Sequence, residues 1–217
     1  MGLTKKRVQK VYGGGSSQYD SVMEAAWEPT TDRKEIIDWL ELKPGDKAAE
    51  FCVGTGLNLQ HYPDGVHIVG IDFTKEMLDK AEEKAKTLKN KIELLEMDAS
   101  NTTFKDETFD GVVETYALCV APDPRAVIAE MKRVCKTGGK VVIFDCVQSE
   151  SLWSKIKQYL VKPYGERFGI PRGVIIWDGT RDLQKMLEDV GLKVTKVKKL
   201  NAEDTLYSRK QIQCEKV

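Results

Sequence analysis

The chain has 217 residues, of which 41% are hydrophobic and 31% charged, which predicts one compact globular domain with a sizeable core and excludes extended disorder. Lys plus Arg and Asp plus Glu are balanced at 34 each, which argues against non-specific nucleic-acid binding and favours a small-molecule partner. Five cysteines form no CxxC pair and no Cys/His cluster, which predicts reduced thiols, no metal site and a cytoplasmic setting. We expect an intracellular protein, because no apolar run approaches the roughly 18 residues of a membrane span and the basic start lacks a signal-peptide core.

Strand patterns recur along the chain. Short apolar or β-branched runs bounded by turn residues predict five buried parallel strands over 47–53, 66–71, 92–97, 109–116 and 140–147. Two later alternating segments, 193–200 and 209–216, predict a hairpin-like pair of strands.

Helical patterns lie between and after these strands, each with an apolar face and a start or stop signal. The predicted faces and signals are Ile36, Ile37 and Leu40 after a capping box of Asp32 and Glu35; Met77, Leu78, Ala81, Ala85 and Leu88 after a cap at Thr74; Val127, Ile128, Met131, Val134 and Cys135 before "KTGG"; and Leu183, Met186, Leu187 and Val190 before Gly191.

This alternation predicts an α/β fold, a doubly wound, seven-stranded, mostly parallel sheet of Rossmann-like type with an N-terminal helical lid. We expect a single domain over 1–217, with the lid and first helix in 1–44, a cofactor-binding core in 45–147, and acceptor-side helices and the strand pair in 148–217. Ligands of such sheets bind beyond the carboxyl ends of the strands, so the loops at 52–58, 72–77, 98–104 and 114–119 are predicted to surround one crevice.

The first of these loops lies in "AAEFCVGTGLN", residues 48–58. Gly54 and Gly56 let the backbone turn sharply and let a ligand approach closely. A dinucleotide fingerprint would place a third glycine where Leu59 stands, and a phosphate loop would need Gly-Lys-Ser/Thr, which is absent. Glu50 precedes the loop and suits a cation better than a pyrophosphate.

Two further acids end neighbouring predicted strands. Asp72 is positioned to accept both hydroxyls of a ribose, and Asp98 with the Ala99 backbone N–H can read an adenine edge. A ligand with a cationic end, a ribose and an adenine but no phosphate is S-adenosylmethionine.

On these residues the chain resembles the class I S-adenosylmethionine-dependent methyltransferases from about residue 45 to 147. The motifs that carry the resemblance, in order, are "EFCVGTG", "VGIDFTKEMLDKA", "EMDAS" and "FDGVVETYALCVAPDPRAVIAEMKRVCKTGGKVVIFD". A single GxG is weak evidence, whereas the ordered set is specific.

The resemblance implies a role for each residue of the cofactor site. Glu50 and the loop backbone from Cys52 through Gly54 to Gly56 would face the methionine end, Asp72 the ribose, Phe73 and Met77 the adenine side, Asp98 and Ala99 the adenine edge, and Thr115 the region under the sulfonium. Ordinary core packing is the alternative for Phe73 and Met77, and helix capping is the alternative for Asp72.

Cys52 departs from the family pattern, which has glycine at this position. We expect a negative φ at Cys52, a reduced thiol close to the cofactor and no catalytic role. A redox- or metal-sensitive thiol and a thiolate site for an arsenic-like substrate are the alternatives, although only Cys52 and Cys119 fall on crevice loops.

The N-terminal segment "VQKVYGGGSSQYDSVMEAAW" resembles the lid of the ubiquinone/menaquinone C-methyltransferases and the bacterial phosphatidylethanolamine N-methyltransferases. By that resemblance Tyr12 and Tyr19 would close over cofactor and acceptor, with "GGGSS" as a flexible hinge between them. The alternative is a frayed basic arm.

The segment "SLWSKIKQYLVKPYGERFG", residues 151–169, combines apolar and aromatic residues with lysines. We expect a helix that covers the acceptor pocket with its lysines in solvent; the alternative is a helix that lies on anionic lipid, giving peripheral membrane contact. The later "WDGTRDLQKMLEDVGL" resembles a helix of the phospholipid and small-molecule thiol methyltransferases.

The sequence thus predicts methyl transfer from S-adenosylmethionine to a small-molecule or lipid-like acceptor, with an amino headgroup preferred. "ETYALC" stands where base and amide methyltransferases carry Asn/Asp-Pro-Pro-Tyr, which argues against those acceptors and favours direct in-line transfer. A quinone ring carbon, an alkyl thiol and a non-catalytic S-adenosylmethionine-binding regulator are the alternatives; the oligomeric state stays open.

Overall fold

The computed structural model describes residues 3–26, 30–168, 178–200 and 208–217, and of residues 24–26, 30–31 and 164–168 it describes the backbone only. Within these residues the strands are β1 Lys47–Phe51, β2 His67–Asp72, β3 Lys91–Glu96, β4 Phe109–Thr115, β5 Cys135–Cys146, β6 Lys193–Lys199 and β7 Arg209–Glu215. They form one sheet in the order β3-β2-β1-β4-β5-β7-β6.

The pairing of the strands follows the predicted doubly wound pattern. Strands β1 to β5 are parallel, and β7 pairs antiparallel with both β5 and β6. The chain order reverses direction at β1 and β4, so the carboxyl ends of these two strands form the crevice at which such sheets bind ligands. The predicted fold class and the final strand pair are therefore confirmed.

Helices cover both faces of the sheet. They are α1 Lys5–Ala26, α2 Thr30–Asp38, α3 Lys75–Ala85, α4 Pro124–Val134, α5 Leu152–Phe168 and α6 Leu183–Asp189. Alternate residues of β1 and β2 point to opposite faces: Ala49 and Val69 pack with α4 and α6, whereas Ala48 and Ile68 pack with α2 and α3.

Two predicted helix ends are wrong in detail, and a third is right in position but lacks its capping bond. The helix α2 begins at Thr30, so Asp32 lies inside its first turn and cannot form a capping box with Glu35. Thr74 occupies the N-cap position of α3, but its side chain makes no capping hydrogen bond. The helix α4 ends at Val134, and Cys135 opens β5 because its buried side chain pairs opposite Phe109 in the sheet.

The predicted hinge "GGGSS" is also wrong, because α1 runs unbroken through it. Helix α1 packs against α3, and a Cβ on Gly13 would lie 2.9 Å from the Glu76 Oε2 atom and 3.5 Å from the Thr74 Cγ2 atom. At least Gly13 therefore serves close helix packing rather than bending.

The solvent-facing side of α5 is apolar, whereas helices such as α4 turn their apolar side chains toward the sheet. Of its described side chains, Ser154 and Gln158 are buried, whereas Trp153 and Leu160 are 72% and 75% exposed. The Gln158 Oε1 atom accepts from the Ser149 N–H at 2.8 Å, and its Nε2 donates to the Val147 carbonyl at 3.1 Å. Polar contacts therefore hold α5 to the body. Among the described residues no helix is long and apolar enough to cross a membrane.

Candidate functional site

A cavity of about 260 Å³ lies at the carboxyl ends of β1, β2 and β4. Each of the four loops that the sequence predicts around one crevice contributes to its wall. Ten of the predicted site residues line it: Tyr12, Tyr19, Cys52, Gly54, Asp72, Phe73, Met77, Asp98, Ala99 and Thr115. The structure therefore brings most of the predicted set together in one place.

The turn after β1 forms one side of this cavity. Cys52 has a φ of 55° and Gly54 a φ of 55°, so two left-handed residues bend the chain sharply away from the strand. This bend lets the Val53 N–H bond the Ile71 carbonyl of the neighbouring strand at 2.9 Å. The predicted negative φ at Cys52 is wrong: the turn keeps the conformation that favours glycine and forces a side chain to adopt it.

Asp72 stands at the end of β2 with its carboxylate fixed by backbone donors. Its Oδ2 atom accepts from the Gly54 N–H at 3.0 Å and its Oδ1 from the Thr74 N–H at 2.9 Å. Burial raises the pKa of Asp72 to about 6, and these N–H donors limit the rise. The carboxylate therefore joins the turn after β1 to the start of α3 at the cavity wall and retains acceptor capacity for a hydroxyl ligand.

Asp98 lies on the wall next to Ala99, which is buried. The Asp98 Oδ1 atom accepts from the N–H and hydroxyl of Ser100 at 2.9 and 2.7 Å. Lys5 of the lid helix donates to its other oxygen. Partial burial raises the pKa of Asp98, but the bonds from Lys5 and Ser100 outweigh it and leave the pKa below its usual value.

Glu50 and Gly56 lie outside the lining of the cavity. The Glu50 carboxylate is buried beneath the turn, where it accepts from Asn58 Nδ2 at 2.8 Å and from the Tyr62 hydroxyl at 3.2 Å. Arg33 donates to the Asn58 Oδ1 atom at 2.8 Å. Burial raises the pKa of Glu50 to about 7, and the Asn58 hydrogen bond limits the rise. In this position Glu50 supports the turn from behind.

Gly56 has a φ of 77°, and a Cβ there would lie 2.7 Å from Leu59 Cδ1 and 3.1 Å from Ala81 Cβ. Gly56 therefore allows α3 to approach the loop. Met77 is buried in an apolar cluster with Val8, Tyr12 and Met23 of α1. The Thr115 hydroxyl accepts from Asn58 Nδ2 at 3.1 Å. Phe73 is partly buried in the same cluster.

The helix α1 covers the cavity as a lid. The Tyr12 and Tyr19 rings lie 6.0 Å apart, edge to face, over the wall. Gln9 Nε2 donates to the Phe73 carbonyl at 3.1 Å. Farther along, the Asp20 carboxylate accepts from Thr55 Oγ1 at 2.5 Å and from Lys84 Nζ at 2.6 Å. Exposed or half-exposed polar contacts thus attach the lid at both ends.

Sequence reasoning missed several residues at the site. Tyr116 and Asp123 line the cavity from the loop after β4, and Lys5 does so from the lid. Asn58 joins Glu50 to Thr115 behind the wall. The one available signal was position, because Tyr116, Asp123 and Asn58 fall in or next to loops that the fold brings to the strand ends; Lys5 carries no such signal.

Comparisons with known proteins agree with this geometry. Residues 49–143 match the family described as "Methyltransferase domain". A demethylmenaquinone methyltransferase of Bacillus cytotoxicus is 30% identical over 220 residues, covering 89% of this chain and 90% of the relative. A phosphatidylethanolamine N-methyltransferase of Cereibacter sphaeroides is 48% identical over 103 residues, covering 46% of this chain and 51% of that protein.

Among solved structures, geranyl diphosphate methyltransferase in complex with SAM superposes with a TM-score of 0.70 at 14% identity, covering 86% of this chain and 85% of that one. The family match and the relative that is 30% identical over 89% of the chain, together with the cavity at the strand ends, define a methyltransferase. The chain belongs to the class I S-adenosylmethionine-dependent methyltransferases, and its cofactor is S-adenosylmethionine.

Proposed function

We propose that this enzyme methylates the amino headgroup of a membrane lipid while its helix α5 rests on the bilayer. The observation that carries the proposal is the apolar outer face of α5, which gives the protein a surface suited to lipid. The 48% identity to a phosphatidylethanolamine N-methyltransferase over 103 residues supports the same acceptor class.

The cofactor would occupy the cavity at the strand ends. Asp72 would accept the ribose hydroxyls, because backbone N–H groups hold its carboxylate without using all of its acceptor capacity. Asp98 and the Ala99 N–H would bind the adenine edge, beside Phe73 and Met77. Lys5, the one lysine of the described wall, is bonded to Asp98, so the wall suits a phosphate-free nucleoside.

The acceptor side of the cavity suits an ammonium group. Tyr12, Tyr19 and Tyr116 line the wall, and aromatic faces attract cations, including methylated ammonium groups. Asp123 adds a carboxylate to the same wall. S-adenosylmethionine supplies an electrophilic methyl group, so the protein's task is to orient the amine and exclude water, and the lid over the cavity would do both.

The outer face of α5 has the geometry of a helix that lies in a membrane interface. At about 100° per residue, the five exposed apolar side chains fall within an arc of about 120°, opposite Ser154 and Gln158. Those five are Leu152, Trp153, Ile156, Tyr159 and Leu160. Lys155 and Lys157 fall on either side of this arc, where their ammonium groups can reach anionic headgroups. The described residues 152–163 carry no acidic residue.

The position of α5 relates this surface to the cavity. Lys162 of α5 pairs with the Asp178 carboxylate at 2.7 Å, and the Asp178 N–H donates to the Cys119 carbonyl at 2.8 Å. Cys119 follows the cavity-lining residues Thr115, Tyr116 and Ala117. A bilayer bound at α5 would therefore lie beside the loop that borders the acceptor side. None of the described α5 side chains, residues 152–163, lines the cavity.

The proposal is tested by methyl transfer and vesicle co-sedimentation with vesicles that contain phosphatidylethanolamine and an anionic lipid. We expect labelled methyl in the ethanolamine lipid. The double substitution of Trp153 and Leu160 by Glu should lower vesicle binding and transfer at the vesicle at least about tenfold, because two large apolar contacts are lost. Transfer to a water-soluble, short-chain ethanolamine phospholipid should stay within about twofold.

The matched control is Val217→Glu, because Val217 is 68% exposed but lies outside α5. This variant should bind vesicles like the wild type. Absence of label in every ethanolamine lipid would refute the acceptor. Transfer that does not depend on α5 would refute the membrane contact and leave the acceptor standing.

A quinone ring carbon is the second candidate acceptor. The observation that favours it is the 30% identity to a demethylmenaquinone methyltransferase across 89% of this chain. The same vesicles loaded with a demethylated quinone provide the test: label in the quinone, with none in the ethanolamine lipid, would select this acceptor.

A further inference from the structure

Two cysteines and an aspartate meet beneath the lid, outside the lining of the cavity. Cys119 lies in the loop after β4, and Asp145 and Cys146 end β5. One ligand atom from each, the two Sγ atoms and a carboxylate oxygen, lie within 4.8 Å of one another, and all three residues are buried. We propose that they form a binding site for a thiophilic divalent cation of the zinc type.

The spacing of the three ligand atoms suits such an ion. Zinc binds thiolate sulfur at about 2.3 Å and carboxylate oxygen at about 2.0–2.2 Å with tetrahedral angles, so its ligands lie roughly 3.4–3.8 Å apart. The observed separations, all within 4.8 Å, need to shrink by at most about 1.0–1.4 Å. Side-chain rotation can supply a shift of that size without unfolding β5 or the loop after β4.

The carboxylate is already oriented by the cysteines that share the site. The Cys119 N–H donates to the Asp145 Oδ2 atom at 2.8 Å, and the Cys146 N–H donates to Oδ1 at 2.6 Å. Metal-binding carboxylates are commonly held by such outer hydrogen bonds, which fix the direction of the free lone pairs. These bonds therefore hold the Asp145 carboxylate beside the two cysteines.

Charge and ligand type favour a soft or borderline cation. Two thiolates, formed as the ion displaces the thiol protons to solvent, and one carboxylate would leave one net negative charge around a divalent ion. Thiolate ligands select zinc and other thiophilic ions over calcium and magnesium, which prefer oxygen. With three protein ligands, a fourth position stays available.

The lid covers this site. Cys119 and Cys146 belong to an apolar cluster that includes Val8, Tyr12 and Met23 of α1. A bound cation would join the loop after β4 to the end of β5 directly under the lid, and its entry would require the lid to move. The sequence predicts no metal site because Cys119 and Asp145 are 26 positions apart and no ligand motif joins them.

The test is titration of the reduced, chelator-treated full chain with Cd²⁺, a spectroscopic substitute for zinc. We expect one ion per chain with sulfur-to-metal charge-transfer absorbance, and at least about a tenfold loss of affinity for Cys119→Ser and for Cys146→Ser. Cys135→Ser and Cys214→Ser are the matched controls, because both cysteines are buried and free but lie outside the cluster; both should bind like the wild type.

X-ray absorption on the cadmium-loaded wild type gives a result that does not depend on whether the variants fold. Two sulfur neighbours and the rest oxygen support the site. Oxygen and nitrogen neighbours alone, a wild type that binds no ion, or binding that survives both substitutions would overturn it. None of these outcomes bears on the methyl acceptor, because the test requires no methyl transfer.

Discussion

Helices α4 and α5 bury opposite kinds of side chain against the body of the protein. Helix α4 buries Val127, Ile128, Met131 and Val134 against the sheet and turns its charged residues outward. Helix α5 buries Ser154 and Gln158 and turns its large apolar side chains outward. The buried polar groups of the sheet include the carboxylates of Glu50 and Asp72, which nearby donors hold, whereas under α5 the anchor is a neutral amide.

This difference indicates that the sheet with α4 contributes mainly to stability, whereas the outer face of α5 contributes to recognition. Apolar burial stabilises the sheet and α4 whatever the protein binds, because that surface is removed from water on folding. The apolar face of α5 gains nothing from folding and is stabilised only when something covers it. Substitutions in the two regions should therefore have opposite effects on stability and on vesicle binding.

The largest expected contrast comes from truncating one apolar side chain in each helix. Met131→Ala should lower the free energy of unfolding by about 2–5 kcal/mol, because Met131 is fully buried and its loss leaves a cavity. Leu160→Ala should change it by less than about 0.5 kcal/mol, because Leu160 is 75% exposed. Denaturant unfolding of both variants measures the contrast, and a Leu160→Ala loss above about 2 kcal/mol would mean that α5 is packed.

The sheet and the flanking helices could be predicted from the sequence because their apolar residues follow the period of one structure with one buried face. In α5 the same rule recognised an amphipathic helix but could not tell which face points inward. Trp153 and Leu160 would normally be taken as the buried side, and the bonds of Gln158 to Ser149 and Val147 become visible only in three dimensions.

The features of the site also fall into those that the sequence could predict and those that it could not. The place of Asp72, Asp98 and Gly54 on the cavity wall could be predicted because each ends a strand or lies just after one, and topology brings strand ends together. The φ of Cys52 could not, because the turn that fixes it depends on a hydrogen bond from Val53 to Ile71 of another strand. The prediction of a hinge at "GGGSS" was wrong for a related reason. Packing of α1 against α3 outweighs the low helix propensity of glycine.

The stability of the protein at different pH values tests the comparison further. Glu50 in the sheet is a buried titratable group, whereas Gln158 of α5 is a buried neutral one. Burial raises the pKa of Glu50 from 4.5 to about 7, so between these values the folded chain holds a proton that the unfolded chain has lost. The free energy of unfolding should therefore fall as pH rises through this window, at up to about 1.4 kcal/mol per unit. Glu50→Gln removes that contribution.

We expect the stability of Glu50→Gln relative to the wild type to increase by roughly 3 kcal/mol from pH 4.5 to pH 7, and then to level off. The measurement is denaturant unfolding at stepped pH without cofactor. Glu82→Gln is the control, because Glu82 lies exposed on α3 and should show a nearly constant difference. A constant difference for Glu50→Gln would contradict the proton uptake.

Removing the polar anchor of α5 tests the other half of the comparison. Gln158→Met should lower the free energy of unfolding by about 1–3 kcal/mol, because it removes the two hydrogen bonds that Gln158 makes to the Ser149 N–H and the Val147 carbonyl. Gln184→Met on α6 is the control, since Gln184 bonds Glu188 at the surface, and it should cost less than about 0.5 kcal/mol. A Gln158→Met protein as stable as the wild type would show that apolar contacts hold α5.

The smallest expected effect lies at Cys52, whose left-handed backbone conformation is strained for a residue with a side chain. Helix α5, by contrast, has ordinary helical backbone. Cys52→Gly should raise the free energy of unfolding by about 0.5–1 kcal/mol, because relief of the left-handed φ of 55° slightly exceeds the added entropy of the unfolded chain. Cys52→Ala is the matched control: it removes the thiol but keeps the Cβ and the strain, so it should bring no gain. Thermal unfolding and cofactor titration measure both variants. If Cys52→Gly lost turnover while it kept cofactor affinity, the thiol would have a catalytic role, and if Cys52→Ala gained as much stability as Cys52→Gly, the strain would lie elsewhere.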